Sequence, residues 1–330
     1  MLLNQNKKKI RRLLITGSRG FIGSQLFRVL AEHHDHIIVA SGNDAPSRIN
    51  TTHIRQAGLN SFGCSELGVG DAVLHLAGRV HIFNDYSSNS LAEYRHVNVD
   101  ATLNLAWKAA AANVKRFIFL SSIKVNGEET PMDHPCSENS LPNPCDPYAI
   151  SKYEAEQGLW SIARKTGMEV VVIRSPLVYG PGVKANFLRL LQYLDKGIPL
   201  PLRAINNKRS FVFLDNLIDF IITCLNHPAA ANQLFLVADS HDLGTPELLH
   251  LLAGYLGCHD RLFSVPPKIL GLIARVCGRT AEIQRLSSSL QVDISKAKTL
   301  LGWSPPFTVA DGLEKTVDWF LEQKNKGRFT

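Results

Sequence analysis

The chain has 330 residues, of which 45% are hydrophobic and 20% are charged. This composition excludes collagen-like, coiled-coil and disordered proteins, and it is sufficient for a sizeable hydrophobic core. The 36 basic and 29 acidic residues give a net charge of +7. No apolar run reaches the roughly 18 residues that a membrane-spanning helix requires, so no membrane span is predicted. The six cysteines lack zinc-ligand spacing, and no metal site is predicted.

The N-terminus carries a cluster of basic residues. They are Lys7, Lys8, Lys9, Arg11 and Arg12. The apolar run 13–16 that follows is too short for the core of a secretory signal, so we expect a cytoplasmic protein. One interpretation is that the cluster is a solvated segment that precedes the first strand. The other is that it contacts anionic lipid or nucleic acid. A basic face with interleaved aromatic residues, typical of nucleic-acid binding, is missing from the sequence, and no nucleic-acid partner is predicted.

Short apolar runs alternate with helical patterns through the first half of the chain. The predicted strands are 13–16, 36–40, 72–77, 116–121 and 170–174, and the predicted helices are 21–33, 91–112 and 148–166. This alternation predicts an α/β fold with a doubly wound parallel sheet of the Rossmann type, covered by helices on both faces. The segment 48–69 is rich in glycine and polar residues, and its elements are not assigned.

The pattern changes after residue 174, where prolines interrupt the apolar runs. A helix over 185–196, a strand over 209–214, a helix over 215–226 and a strand over 233–238 precede a mainly helical end. We therefore predict a dinucleotide-binding domain over 1–175. Residues 176–330 are predicted to form a smaller, mainly helical substrate-binding region that returns some elements to the first sheet.

A glycine-rich turn follows the first predicted strand and opens the first helix. Its sequence is Gly17-Ser18-Arg19-Gly20-Phe21-Ile22-Gly23. Glycines permit a tight turn and a close approach of the backbone to a diphosphate, and the N-terminus of the helix supplies N–H groups for the phosphates. The turn predicts a dinucleotide site, with Gly17, Arg19, Gly20, Phe21, Ile22 and Gly23 as cofactor-binding residues.

A second motif places Tyr148 and Lys152 four residues apart at the start of a predicted helix, after Ser122 at the end of a strand. Residues at this spacing share one helix face, and a lysine cation there lowers the pKa of the phenol. The phenol can then exchange a proton with a sugar hydroxyl, while the serine hydroxyl binds the same oxygen. Ser122, Tyr148 and Lys152 are the predicted catalytic residues; the alternative is a surface pair on an amphipathic helix.

Both motifs resemble those of the extended short-chain dehydrogenase/reductase family, and the resemblance covers nearly the whole chain. In this family the serine, tyrosine and lysine are catalytic, and the tyrosine and lysine also contact the cofactor. The segment 75–78 is similar to a family turn beside the cofactor, which implies that Leu76 and Ala77 bind it. Asn98 matches an asparagine that holds the active-site geometry; a solvent-facing helix residue is the alternative.

The resemblance also implies where the substrate binds. The segment 174–182 is similar to the family segment that flanks nicotinamide and substrate, and Arg209 matches an arginine that contacts the nucleotide diphosphate. The predicted substrate-binding residues are Ser122, Lys124, Ser175 and Arg209. A second diphosphate arginine has no clear match, and Arg279 and Arg285 are candidates by location only.

The positions after Ser122 narrow the activity within the family. Sugar-nucleotide dehydratases carry Asp-Glu there, whereas this chain has Ile123 and Lys124. We therefore expect hydride transfer at C4 of a nucleotide-activated hexose. The branch of the family that this chain most resembles includes two kinds of enzyme. One is the reductases of UDP-4-keto-6-deoxy-N-acetylhexosamines, which serve surface polysaccharide synthesis, and the other is the UDP-hexose 4-epimerases with bound NAD. The sequence slightly favours the reductase; a non-catalytic dinucleotide-binding sensor is the alternative from another class.

The cofactor assignment rests on the end of the second strand. NAD sites usually place an acidic residue there to bind the ribose 2′-hydroxyl, but this chain reads Ser41-Gly42-Asn43, with Asp44 three residues late. Arg19 is a cation that suits a 2′-phosphate. We therefore predict NAD(P), with NADP(H) slightly favoured over NAD(H). The resemblance further implies a homodimer.

Overall fold

The computed structural model describes residues 12–31, 37–41, 51–55, 67–80, 90–276, 278 and 280–329. Its centre is a parallel sheet of seven strands in the order β3-β2-β1-β4-β5-β6-β9. In chain order these strands are β1 (Leu13–Thr16), β2 (Ile37–Ser41), β3 (Thr51–Arg55), β4 (Ala72–His75), β5 (Arg116–Ser122), β6 (Glu169–Ser175) and β9 (Gln233–Leu236). A separate parallel pair joins β7 (Leu177–Tyr179) to β8 (Phe211–Phe213). The predicted doubly wound α/β fold is confirmed.

Eleven α-helices are described. They are α1 (Phe21–Leu30), α2 (Ser90–Arg95), α3 (Ala101–Ala111), α4 (Pro147–Thr166), α5 (Ala185–Asp195), α6 (Leu214–Asn226), α7 (Thr245–Tyr255), α8 (Pro267–Val276), α9 (Thr280–Ser287), α10 (Ser295–Leu301) and α11 (Val309–Asn325). A π-helical stretch, His96–Asp100, joins α2 to α3. The single helix predicted over 91–112 is therefore interrupted by a wider turn.

Alternating side chains on the strands form two cores, one on each face of the sheet. On β1, Leu13 and Ile15 pack with α1 and α6, whereas Leu14 between them packs with α3 and α4. This alternation follows from the two-residue period of a strand, and a sheet covered by helices on both faces needs apolar residues at every position. The sheet is thereby fixed between two helical layers. Polar side chains can be placed at the ends of the strands, because these positions lie outside the apolar cores.

The second half of the chain contributes to this sheet and also builds a core of its own. Strand β9 pairs with β6 in parallel, and α6 packs on the same face as α1. A third core joins α5, α7 and α11 around Tyr179, whose ring stacks on Phe187. No helix in the described ranges is long and apolar enough to cross a membrane.

The start of α4 is fixed by local sequence. Asp146 caps the helix by accepting a hydrogen bond from the Ala149 backbone N–H at 2.7 Å, and Pro147 occupies the first turn, where its missing N–H has no helical partner to lose. Gly167 ends the helix in the left-handed conformation, with φ of 76°. The cap places Tyr148 in the first turn of α4, one residue after the helix begins.

Candidate active site

The glycine-rich turn between β1 and α1 leaves no room for side chains at two positions. Gly17 has a φ of +75°, and a Cβ there would lie 2.7 Å from the backbone nitrogen of Ala77. A Cβ on Gly23 would lie 2.1 Å from the carbonyl oxygen of Gly17. Both glycines are therefore required for the turn to sit between α1 and the end of β4.

The turn has features of a diphosphate cradle. The first turn of α1 contains no acidic residue, so its N–H groups and positive dipole end favour an anion. The Ser18 hydroxyl is buried without a hydrogen-bond partner among the described residues. Gly20 caps α1 and, like Arg19, is exposed at the turn. The turn thus fits the phosphates of a dinucleotide.

Two of the predicted cofactor-binding residues contribute packing. The side chains of Phe21 and Ile22 are half-buried against the apolar core beneath the turn. Phe21 also packs on the core of the second half of the chain. These side chains hold α1 against its neighbours, so any contact that they make with a cofactor is additional to this packing.

A chain of buried hydrogen bonds fixes the segment after β4. The Ala77 N–H donates to the Thr16 hydroxyl at 3.2 Å, and this hydroxyl lies 2.7 Å from His75 Nδ1. His75 Nε2 lies 2.8 Å from the Thr102 hydroxyl. Burial, followed by the charge of Lys152, lowers the pKa of His75 to about 3, so a neutral imidazole links the strands to α3.

The Leu76–Ala77 segment therefore lies next to the glycine turn. The Leu76 N–H donates to the Thr16 carbonyl at 3.2 Å, and the backbone of Ala77 is in the space that a side chain on Gly17 would fill. A Cβ on the following residue, Gly78, would be 3.3 Å from Lys152 Nζ. The backbone of this segment thus connects the phosphate turn to the predicted catalytic lysine.

The structure brings the phenol of Tyr148 and the hydroxyl of Ser122 together. Burial raises the pKa of Tyr148 to about 12, and a hydrogen bond with Ser122 acts in the opposite direction. The sequence predicts a lowered phenol pKa from the nearby lysine. In the structure burial raises this pKa instead, and Lys152 is not among the groups that shift it, so the phenol ionises near neutral pH only when further positive charge reaches it.

Lys152 lies under the site, in contact with the sheet. Its ammonium donates to the Leu120 carbonyl at 3.0 Å and sits 4.5 Å from the centre of the Phe119 ring. Burial lowers the pKa of Lys152 to about 8, while Glu156 acts to raise it. This buried cation shares a helix face with Tyr148, as the spacing predicts.

Asn98 belongs to the π-helical stretch and holds the loop after β4. Its side-chain oxygen accepts from the Arg79 N–H at 2.7 Å, and its nitrogen donates to the Arg79 carbonyl and to the Ser151 hydroxyl. Ser151 in turn donates to the Tyr148 carbonyl at 2.8 Å. π-Helical turns recur at functional sites. Here the turn connects the loop to α4, and Asn98 is buried instead of facing solvent.

An ion pair that the sequence analysis missed lies behind these groups. Glu156 accepts from Arg174 Nη2 at 2.6 Å and from the Ser121 hydroxyl at 2.5 Å, and both charged side chains are buried. Arg174 also donates to the side-chain oxygen of Asn126 at 2.9 Å. The spacing contained the signal, since Glu156 follows Lys152 by four residues and so continues the helix face of Tyr148 and Lys152.

A cavity of about 540 Å³ opens over Ser122 and Tyr148, whereas Lys152 is buried and is not among its lining residues. Among the residues that line it are Ser122, Lys124, Tyr148, Arg209 and Arg285. Predicted catalytic and substrate-binding positions are thus brought into one enclosure. Its volume is in the range of small-molecule sites.

Two of the predicted substrate-binding residues, Ser175 and Lys124, either lie outside the cavity lining or already have charged partners. Ser175 is buried at the end of β6, paired in register with Ser122, and is not among the cavity-lining residues. Lys124 lines the cavity, but its ammonium already contacts Asp146 at 2.5 Å and Glu128 at 3.2 Å. Its charge is therefore partly balanced before any ligand binds.

Arg209 and Arg285 are two cations in the wall of the same cavity. Burial, followed by the charge of Arg285, lowers the pKa of Arg209 to about 10, and Arg209 Nη1 donates to the Ser288 carbonyl at 2.9 Å. Two mutually repelling guanidinium groups in one cavity favour a polyanion between them. Of the two arginines proposed by location, Arg285 lines the cavity; Arg279 lies outside the described residues.

The dinucleotide selectivity is not decided by these contacts. Strand β2 ends at Ser41, and Gly42, Asn43 and Asp44, on which the sequence argument rests, lie outside the described residues. The slight preference for NADP therefore stays a prediction. No cluster of three or more potential metal-ligating side chains occurs in the described part of the chain.

Comparisons with known proteins identify relatives across nearly the whole chain. The model of the NAD-dependent epimerase/dehydratase family matches residues 13–238. A UDP-glucose 4-epimerase of Vibrio cholerae is 41% identical over 324 residues, covering 97% of this chain and 99% of the relative. A GDP-6-deoxy-D-mannose reductase of Pseudomonas aeruginosa is 26% identical over 319 residues, covering 94% and 97%.

Solved structures show the same fold. A UDP-glucuronic acid 4-epimerase of Bacillus cereus, in complex with UDP-glucuronic acid and NAD, superposes with a TM-score of 0.75. The alignment covers 94% of this chain and 99% of that one, at 22% sequence identity. The likeness at this identity supports the architecture derived above: a parallel sheet with flanking helices and a helical C-terminal region.

Proposed function

The chain belongs to the NAD-dependent epimerase/dehydratase family, and from this premise we propose that it is a UDP-hexose 4-epimerase. The chain is an NAD-dependent enzyme of the extended short-chain dehydrogenase type that acts on sugar nucleotides. The proposal of 4-epimerisation is carried by the 41% identity with a UDP-glucose 4-epimerase over nearly the full length of both chains. This choice replaces the slight preference for a reductase from the sequence alone.

The reaction needs a proton acceptor and donor at the sugar C4 oxygen. When bound, NAD would supply a reversible hydride acceptor for the hydrogen at C4. We assign proton transfer at this oxygen to Tyr148, with Ser122 hydrogen-bonded to the same oxygen and Lys152 as the cation that favours the phenolate. Because the proton and the hydride both return, substrate and product differ only in configuration.

The cofactor would be held by the glycine turn and the segment after β4. We propose that the N–H groups of the turn bind the diphosphate and that the Ser18 hydroxyl, buried without a partner among the described residues, supplies a further hydrogen bond. Gly17 and Gly23 keep this surface open. We propose NAD as the resident cofactor because the matching family model is described as NAD-dependent.

The substrate diphosphate would lie between Arg209 and Arg285. Both line the cavity that also contains Ser122 and Tyr148. A guanidinium group can donate two parallel hydrogen bonds to two oxygens of one phosphate. This arrangement supports a nucleotide-diphosphate sugar as substrate. The Ile123–Lys124 pair occupies the positions where dehydratases of the family carry their acid and base, so the proposal excludes 4,6-dehydration.

The direct test is to incubate the purified protein with UDP-glucose, and separately with UDP-N-acetylglucosamine, and to separate the products by ion-exchange chromatography. We expect conversion to the C4 epimer of at least one of them without net consumption of cofactor. Absence of any C4 epimer, from these and from UDP-glucuronic acid, would refute the epimerase.

A reductase is the second candidate. It is favoured by the lack of an acidic residue directly after β2 and by the 26% identity with the GDP-6-deoxy-D-mannose reductase. A reductase would oxidise NADPH with a 4-keto-6-deoxy sugar nucleotide in equal amounts. Loss of NADPH absorbance in that assay, with no epimerisation of UDP-hexoses, would select it.

Three further assignments come from the sequence and stay proposals. They are the division at residue 175 into cofactor-binding and substrate-binding regions, a homodimer, and a cytoplasmic location. The first is physically reasonable because the glycine turn lies in the first region and both cavity arginines lie in the second. Sedimentation equilibrium of the full chain tests the second.

A further inference from the structure

Helix α8 has an exposed apolar face. Its side chains are Ile269, Leu272, Ile273 and Val276, with 51%, 62%, 50% and 81% of their surfaces exposed. At about 100° of rotation per residue, these four positions fall in one sector roughly 100° wide. We call this sector the α8 face. An apolar sector of this kind on the surface of a protein usually marks a contact with a partner or a membrane.

The α8 face is separate from the side on which the helix packs. Among the residues 268–276, whose burial is described, Leu270 and Ala274 are buried, and they lie beyond one edge of the exposed sector. Lys268 and Arg275 lie beyond the other edge. Neither of these cations has an acidic partner within the described part of the chain.

The charge of the surrounding sequence is entirely positive. Between residues 261 and 281 there are four basic residues and no acidic residue. An apolar face flanked by lysine and arginine is typical of a helix that lies in the plane of a membrane interface. A second copy of this chain is a poorer partner, because an isologous contact would bring the same unpaired cations together.

We propose that the α8 face binds the surface of a bilayer that contains anionic phospholipid. The apolar side chains enter the boundary between headgroups and acyl chains, while Lys268 and Arg275 lie at the level of the anionic headgroups. Helix α8 packs against α9, which carries the cavity residues Glu282 and Arg285. Docking through this face would hold the cavity close to the membrane, with the chain peripheral to it.

The test uses the full chain and two kinds of vesicle. One is pure phosphatidylcholine, and the other contains about a third phosphatidylglycerol, enough to give the surface a negative potential. Co-sedimentation is compared for the native chain, the double variant Leu272→Gln/Val276→Gln and the double variant Lys268→Gln/Arg275→Gln. The matched control is Leu141→Gln, since Leu141 is 88% exposed and lies in a loop outside α8.

The native chain and Leu141→Gln should bind the anionic vesicles and leave the phosphatidylcholine vesicles unbound. Loss of two apolar side chains should weaken binding by at least about tenfold, and loss of two cations by about 30-fold. The melting temperature of each variant, measured in parallel, confirms that all of them fold.

Three results would overturn the proposal. The first is failure of the native chain to bind anionic vesicles. The second is equal binding by the α8 variants, which would place the contact elsewhere, for example in the basic N-terminal cluster. The third is a change of Leu272→Gln/Val276→Gln from dimer to monomer in sedimentation, which would make the α8 face an interface between copies. None of these results bears on the proposed epimerase activity.

Discussion

Tyr148 has a burial-raised pKa of about 12 and a hydrogen bond with Ser122, so it depends on neighbouring positive charge to act as a base. Tyr148→Phe removes the hydroxyl and keeps the ring that packs at 6.2 Å from Tyr94. We expect the kcat to fall by about 10² or more with dinucleotide binding unchanged. Tyr153→Phe, on the same helix but outside the cavity lining, is the control, and unimpaired turnover by Tyr148→Phe would remove the phenol from catalysis.

Arg285 is the cavity cation that sequence reasoning could only place by location. If it shares the substrate diphosphate with Arg209, then Arg285→Ala should raise the KM for the nucleotide sugar by about 10- to 100-fold, the loss of one charge-assisted contact. The Kd of the dinucleotide should stay constant. Arg164→Ala, an exposed arginine of α4, is the control. Equal weakening of both ligands would place Arg285 outside the substrate site.

The buried His75 of β4 makes the free energy of unfolding depend on pH. Its pKa is about 3 in the folded protein, against an ordinary 6.5. Below pH 6.5 the unfolded chain therefore takes up a proton that the folded chain does not, and the free energy of unfolding falls as the pH is lowered toward 3. This group alone contributes about 1.4 kcal/mol per pH unit in that window, or roughly 2 kcal/mol between pH 6.5 and pH 5.

The variant His75→Gln isolates this contribution, because glutamine offers one donor and one acceptor to Thr16 and Thr102 and does not titrate. We expect a lower stability than the native chain at pH 7, from altered packing, but a shallower loss between pH 7 and pH 5, by roughly 2 kcal/mol. Urea unfolding between pH 7 and pH 5 measures how the free energy of unfolding changes with pH in the native chain and in the variant. Parallel slopes for the two proteins would mean that the pKa of His75 is the same in the folded and the unfolded chain.

At the scale of elements, the junction of β1, the glycine turn and α1 depends on contact between backbones. A Cβ on Gly23 would approach the Gly17 carbonyl oxygen to 2.1 Å, so Gly23→Ala must move α1 away from the turn. We expect loss of dinucleotide binding together with a drop in melting temperature. In Gly254→Ala, on α7, the new Cβ meets nothing within 4 Å, and the higher helix propensity of alanine should stabilise by about 0.5 to 1 kcal/mol. Retained binding by Gly23→Ala would show that α1 can shift without cost.

The elements that the sequence predicts well are those with strong local signals. Strands β1, β4, β5 and β6 are continuous apolar runs, as expected for strands buried on both faces, and α4 begins where its aspartate cap and Pro147 place it. Strand β3 has no such local signal, because its segment is polar and glycine-rich and its pairing with β2 is a tertiary contact. The π-helical turn at Asn98 was missed for a related reason: its distinguishing feature is the buried bonding of one side chain to a distant loop.

At the scale of the whole molecule, the site is assembled from both halves of the chain. The motif Tyr148–Lys152 could be predicted from spacing, but the approach of Arg209 and Arg285 to it depends on how the second half packs on the sheet, which no local pattern encodes. The same is true of the Glu156–Arg174 pair, whose partners lie on α4 and β6. A four-residue spacing indicates a shared helix face; burial of an ion pair requires the complete fold.

If the proposed epimerase reaction is correct, the whole molecule should retain its cofactor. An epimerase regenerates its cofactor in every cycle, so dissociation would only interrupt turnover, and we expect the full chain to carry NAD in equal amount through purification without added dinucleotide. Mass spectrometry of the supernatant after denaturation identifies it. Stripping the NAD should lower the melting temperature, because a ligand at a hundred times its Kd stabilises by about 2.7 kcal/mol. A protein that emerges empty and binds NADPH more tightly than NADH would instead exchange its cofactor at every turnover, which contradicts the epimerase and is the behaviour of a reductase.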